Sequence, residues 1–189
     1  MSDINSIVFQ ANEVIKNGGV ILYPTDTVWG LGCDATNEEA INKIFEIKKR
    51  ALNKSMIILV NERLMHQVFA SIPEVAWQIM DLSEKPTTLV LDHPKLVAKN
   101  IIASDDTLAA RLTKDDFCLR LIERMKKPLV STSANISTEP TPKSFKEIDP
   151  QILAAVDYIV PLHQDKICDK PSTIIKLTHD SQVKIIRKY

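Results

Sequence analysis

The sequence predicts an α/β domain built around a mixed β-sheet. Two observations carry this prediction: helix-period and strand-like apolar runs alternate through the first half, and strand-like runs dominate near the end. The chain has only four glycines, all between positions 18 and 32. Glycine is used where a chain must turn sharply or let another group approach its backbone, so this concentration marks one short strand and the polar loop after it as a candidate ligand wall. The 189 residues fit one domain, 1–189. At this size about 70% of the unfolded chain's surface can be buried, so the core needs neither disulfides nor a structural metal.

The elements follow in order. Ile4, Ile7, Val8, Ala11, Val14 and Ile15 form an amphipathic helical stripe over 4–17, which Gly18-Gly19 stops. Val20-Ile21-Leu22-Tyr23 is a continuous apolar run suited to a strand covered on both faces. Thr36-Asn37-Glu38-Glu39 has the form of a capping box, which predicts a helix over 37–49 that delivers Lys48, Lys49 and Arg50 in its last turn. Met56–Val60 reads as a strand, and 61–70 and 73–82 read as two short helices split at Pro73. Thr87–Leu91 and Thr107–Leu112 read as strands, 114–126 as a helix ended by Pro128, and Leu129-Val130 as a strand. That strand leads into a polar loop, Ser131-Thr132-Ser133-Ala134-Asn135. Tyr158–Val160, Thr173–Leu177 and Val183–Ile186 complete the strands.

Composition narrows the function classes. The 44% hydrophobic and 25% charged content is that of an ordinary soluble protein. Lys+Arg and Asp+Glu balance at 24 each, so no global field draws the chain to nucleic acid or an anionic membrane. Cys33, Cys118 and Cys168 lack C-x-x-C spacing, and the N-terminus lacks a basic stretch followed by an apolar run. No apolar run approaches the ~18 residues of a membrane span. These features lead us to expect a cytoplasmic protein with free thiols and no membrane anchor.

Several chemistries are excluded by pattern. G-x-x-x-x-G-K-[ST] does not occur, and Gly30-Leu31-Gly32 lacks the third glycine of a dinucleotide fingerprint. His66, His93, His163 and His179 are scattered, and no metal-binding cluster is expected. Ser131 and Ser133 lack a G-x-S-x-G elbow. Taken alone, Lys48-Lys49-Arg50 fits either a solvated complement to a helix dipole or a phosphate clamp. The Ser131–Asn135 segment fits either a self-satisfied turn or a ligand loop.

The combination is more specific. Tyr23-Pro24-Thr25-Asp26-Thr27-Val28-Trp29-Gly30-Leu31-Gly32, then Lys48-x-Arg50, then Ser131-Thr132-Ser133-Ala134-Asn135 closely resembles the YrdC-like family of threonylcarbamoyl-AMP synthases. The resemblance extends from Gly19 to about Arg187, with Thr107–Arg111, Ser172-Thr173-Ile174 and Ile186-Arg187 matching further family segments. The chain departs from the family pattern at Ala51, Lys85-Pro86-Thr87-Thr88, Ser137-Thr138 and Pro171. It ends at Tyr189, so the extra C-terminal domain of longer members is not expected.

The resemblance implies a twisted mixed sheet flanked by helices, with a concave substrate cleft. It implies a nucleotidyltransferase that makes threonylcarbamoyl-AMP and pyrophosphate from L-threonine, bicarbonate or CO2, and ATP. The product serves the N6-threonylcarbamoyl modification of adenosine 37 in tRNA, through a downstream transferase machinery. By the same analogy Lys48 and Arg50 are the catalytic pair and neutralise the triphosphate. Ser133 and Asn135 hold the phosphate region, with Thr107 and Arg187 as further ATP contacts. Thr25, Arg111, Ser131 and Ser172 surround threonine, with Arg111 on its carboxylate. Mg²⁺ is expected to arrive with ATP, and Asp26 is expected to orient a water or hydroxyl or to constrain its turn. The alternative is a catalytically silent RNA- or nucleotide-binding module. A carbamoyl-transfer module of hydrogenase-maturation type is disfavoured, because the chain has neither zinc-finger cysteines nor room for the extra domains.

Overall fold

The structure, a computed structural model, describes residues 3–50, 56–168, 170–178 and 182–188. Ala51 and His179 lie outside the described residues. Helix α1 (Ile4–Lys16) buries Ile7, Val8, Ala11 and Ile15, the face its periodicity predicts. Gly18, at φ +77°, ends it and turns the chain into β1 (Ile21–Tyr23). After the polar loop comes β2 (Gly30–Gly32), then α2 (Glu38–Ile47), β3 (Ile57–Val60), α3 (Glu62–Val68), α4 (Glu74–Leu82), β4 (Thr87–Asp92) and β5 (Thr107–Leu112). Helix α5 (Asp116–Met125), β6 (Leu129–Ser133), α6 (Pro150–Ala155), β7 (Tyr158–Ile159), β8 (Thr173–Leu177) and β9 (Val183–Arg187) follow.

Among the described residues the strands form one nine-stranded mixed sheet in the order β7-β1-β2-β6-β3-β5-β4-β8-β9. The pairs β1–β7, β3–β5 and β4–β8 are parallel, and the other neighbours are antiparallel. Helix α1 packs on α5 and β1, α5 on β3, and α3 on β3 and β5. The apolar core runs through all these contacts, with Trp29, Tyr23, Phe69 and Met56 among its largest buried side chains. Cys33, Cys118 and Cys168 are buried inside it. Among the described residues no helix is long and apolar enough to cross a membrane.

Three local expectations are corrected. First, α2 is capped by Asn37, whose side chain accepts the Ala40 N–H at 3.0 Å. Thr36 gives its N–H and hydroxyl to Asp34 Oδ1 instead, so the capping box does not form. Second, Ser131, Thr132 and Ser133 belong to β6 rather than to a loop, because they pair with Ile57 on one side and with Gly30 and Leu31 on the other. Third, Gly30-Leu31-Gly32 is a strand between β1 and β6. Helix α6 was not anticipated, although Asp149 as cap and Pro150 in the first turn are its sequence signals.

The third correction changes what the glycines are for. A Cβ on Gly32 would stand 2.6 Å from the Val130 carbonyl oxygen and 2.7 Å from Tyr23 Cε1, so this glycine permits close strand approach. A Cβ on Gly30 would meet only ordinary contacts, at 3.4 Å and beyond. Gly32→Ala is therefore expected to destabilise the fold by about 1–3 kcal/mol, the usual range for overpacking. Gly30→Ala should unfold within a few tenths of a kcal/mol of wild type by urea titration. Equal midpoints for the two variants would contradict this assignment.

Candidate functional site

The sheet register carries the site. Ile57 of β3 stands opposite Ser131 on one side and Ala109 on the other, and Gly30 stands opposite Ser133. Side chains opposite one another share a face, and residues two apart on a strand share it too. Ser131, Ser133 and Arg111 are thereby brought to one face of the sheet. Thr88 pairs with Ile174, and Ile174 pairs with Arg187, which extends that face to the last strand. A cavity of about 230 Å³ opens on it. Its wall includes three guanidinium side chains, Arg50, Arg111 and Arg187, and the hydroxyls of Thr27, Ser131, Ser133 and Ser172. Among the described residues no carboxylate or imidazole side chain belongs to that lining.

Arg111 is the most constrained of the three, at 2% exposure. Its Nη1 donates to Thr27 Oγ1 at 3.2 Å, and its Nη2 lies 3.0 Å from Asp26 Oδ1. The Thr27 and Thr25 hydroxyls are 2.8 Å apart, and Thr25 Oγ1 donates to the Val28 carbonyl at 2.8 Å. A hydroxyl has one proton, so the direction of the chain is determined: Arg111 donates to Thr27, Thr27 to Thr25, and Thr25 to Val28. Thr25 Oγ1 also accepts the Thr27 N–H at 3.0 Å, which saturates it. Thr25 therefore braces the loop, and Thr27 is the threonine that faces the cavity. Thr25 was the expected ligand contact; in the structure Thr27, and not Thr25, lines the cavity. A hydroxyl that takes the backbone N–H two residues on is the signature of a Ser/Thr turn, and the Thr-x-Thr spacing was its sequence signal.

Burial raises the Asp26 carboxyl above its ordinary value; Arg111 opposes that shift and Asp115 adds to it. Asp26 thus serves as the counter-charge behind Arg111, on the wall of a neighbouring cavity. Arg111 Nε is buried without a hydrogen-bond partner. A buried donor left unmatched costs about 1–3 kcal/mol, so an acceptor reaching Arg111 from the cavity would complete the arrangement.

Arg187 donates from Nε to the Ser172 carbonyl at 3.0 Å, and its Nη2 lies 3.4 Å from Ser172 Oγ. The Ser172 and Thr88 hydroxyls are 2.8 Å apart, so the Lys85–Thr88 departure keeps a hydroxyl at this wall. Burial, then the like charge of Arg111, hold the Arg187 guanidinium below its ordinary value. Burial does the same to Arg50. Cations that disfavour one another's charge in one cavity form a receptor for an anion.

Three more predicted residues, Thr107, Lys48 and Asn135, are placed outside the cavity lining. Thr107 shares its face of β5 with Arg111, but four residues of strand separate them, about 13 Å. Its hydroxyl donates to Asp105 Oδ1 at 2.7 Å, and it does not line the cavity. Lys48 does not line the cavity either. It is 1% exposed, and its Nζ donates to the carbonyls of Ser133 and, at 2.7 Å, Asn135. Asn135 faces its own loop: Oδ1 accepts from Ser133 Oγ at 2.5 Å, and Nδ2 donates to the Ile136 and Glu139 carbonyls at 2.9 and 2.7 Å.

Burial, then the like charge of Arg50, lower the Lys48 ammonium from 10.5 to about 7. Between those values the unfolded chain holds a proton that the folded chain has released, so folding gains stability as pH rises through that window. The penalty for burying the charged form is present in full below about 7. Urea titrations across this window should show wild type gaining on Lys48→Met as pH increases. A difference between the two that is flat with pH would contradict the shift.

Residues 13–188 match the Sua5/YciO/YrdC family model, which carries the description telomere recombination. A protein of Methanocaldococcus jannaschii is 34% identical over 176 residues, covering 90% of this chain and 80% of its own length. The threonylcarbamoyl-AMP synthase of Hahella chejuensis is 33% identical over 155 residues, covering 80% of this chain and 84% of its own. The crystal structure of Pyrococcus abyssi Sua5 complexed with L-threonine superposes with a TM-score of 0.79 at 29% identity. That match covers 94% of this chain but 52% of the Pyrococcus protein, so the chain spans about half of that relative. Fold, site motifs and relatives agree: the chain belongs to the Sua5/YciO/YrdC family.

Proposed function

We propose that the cavity is the active site of an L-threonylcarbamoyladenylate synthase, a nucleotidyltransferase. It would join L-threonine, bicarbonate or CO2, and ATP into threonylcarbamoyl-AMP, releasing pyrophosphate. The relative from Hahella chejuensis bears the synthase name, and the Pyrococcus abyssi neighbour was crystallised with L-threonine. The observation that carries the reading is the meeting of Arg50, Arg111 and Arg187 with the hydroxyls of Thr27, Ser131, Ser133 and Ser172 in one cavity.

The reaction makes demands that this wall suits. The threonine amine is first carbamylated; a carbamate oxygen then attacks the α-phosphorus, and pyrophosphate leaves. Both partners are anionic, so repulsion and alignment are the obstacles, and fixed cations and donors address both. Arg111 takes the threonine carboxylate, with the Thr27, Ser131 and Ser172 hydroxyls around the amino acid. Arg50 and Arg187 take the phosphates, with Ser133 beside them. A cavity lining of three guanidinium groups and several hydroxyls fits catalysis by orientation and charge.

Mg²⁺ enters this reading with ATP, where it neutralises phosphate charge. In this reading the phosphates supply its anchoring oxygens. Downstream, the product passes to the transferase machinery that modifies tRNA.

Pyrophosphate release with ATP, omitting threonine or bicarbonate in turn, tests the reading: release should need both. Tight RNA binding without such release would instead indicate a binding module. A charge-assisted hydrogen bond is worth about 1.5–3 kcal/mol, so Arg50→Ala should lower the rate at least about tenfold while leaving the protein folded. Wild-type turnover in that variant would remove Arg50 from the mechanism.

A further inference from the structure

Lys48 is the first residue of the Lys-x-Arg motif, yet its environment differs from that of Arg50. Helix α2 ends at Ile47, Lys48 caps it, and Lys49 reverses the chain at φ +49°. The reversal separates the two cations: Arg50 lines the cavity and Lys48 lies inside the protein. Lys48 is bound to the chain leaving β6 in three ways. Its Nζ donates to the Ser133 and Asn135 carbonyls, and its own carbonyl accepts the Ser137 N–H at 2.9 Å. Inside that loop the Asn135 N–H reaches the Ser133 carbonyl at 3.0 Å, and Ser133 Oγ donates to Asn135 Oδ1.

Resting on the reading of the cavity as an ATP site, we propose that Lys48 is a positioning residue rather than a phosphate ligand. It clasps the end of α2 to residues 133–137, so that the Ser133 hydroxyl and the Arg50 guanidinium face one cavity. The phosphate charge is left to the arginines. Nζ spends two of its three N–H groups on these carbonyls, and the side chain is 1% exposed and stands outside the cavity lining, so reaching a phosphate would mean moving it away from the loop it holds. The clasp needs two N–H groups and no net charge. An amine that loses its third proton near neutrality still supplies both.

A phosphate ligand and a clasp differ in how a variant responds to phosphate number. The test titrates AMP, ADP and ATP into the full chain by calorimetry. Lys48→Met keeps the stem without donors, and Lys48→Gln keeps two N–H groups without charge in case the first variant does not fold. The clasp predicts that Lys48→Met weakens all three nucleotides by one common factor, about tenfold or less, and that Lys48→Gln, which keeps two donors, weakens them equally among themselves and by less than Lys48→Met. Arg50→Met should weaken ATP more than AMP. Hydrogen exchange on the ligand-free protein gives a second readout: Lys48→Met should speed exchange across 133–139. A loss that grows with phosphate number in a Lys48 variant, or unchanged exchange across 133–139, overturns the clasp. Wild-type protein that binds none of the three nucleotides overturns the ATP reading, and the exchange result then decides the clasp alone.

Discussion

A guanidinium buried on a central strand is the constraint around which the site is organised. Arg111 sits on β5, flanked by β3 and β4, at 2% exposure. A charge taken that far from water must be paired and hydrogen-bonded, or the fold pays several kcal/mol for it. The loop between β1 and β2 answers that demand. Asp26 supplies the opposite charge, Thr27 an acceptor, and Thr25 anchors both by closing the turn. The loop is held in turn by strands close enough that Gly32 cannot carry a side chain. Removing any link leaves Arg111 less well held. The same links hold the side chain where it lines the cavity.

Two other connections bring the remaining charges to the same face. On one flank, Lys48 joins the end of α2 to the chain leaving β6, and Arg50 follows one turn of backbone later. On the other flank, Arg187 reaches back from the last strand to Ser172, and Ser172 meets Thr88 of β4. The result is a cleft whose charge is local. The chain as a whole is balanced, at 24 basic and 24 acidic residues, while the cavity wall carries three arginines. Such an arrangement attracts a small polyanion without making the whole surface a nucleic-acid binder.

The α/β class, the order of elements and most helix faces were legible in the sequence, because amphipathic periodicity and Gly or Pro stops act locally. Strand β2 was not. Three residues of glycine and leucine carry no alternation, and only the neighbouring strands show why glycine is needed there. At the site, motif order marked Arg50, Arg111, Ser131, Ser133, Ser172 and Arg187, which the fold does bring to one cavity. The sequence could not separate Thr25 from Thr27, or Lys48 from Arg50. Each pair is two residues apart in one motif, and the difference between them lies in which backbone groups each side chain meets. The same holds for Thr107, which shares a face with Arg111 but not its cavity.

The central claim is that Arg111, set by Asp26 and Thr27, is the carboxylate receptor of an amino-acid site. Its most direct measurement is L-threonine binding by calorimetry to wild type and to Arg111→Met, with threoninol, which lacks the carboxylate, as a second ligand. The account predicts that the substitution weakens threonine by about tenfold or more and leaves threoninol nearly unchanged. Equal losses for the two ligands, or none for threonine, would contradict it.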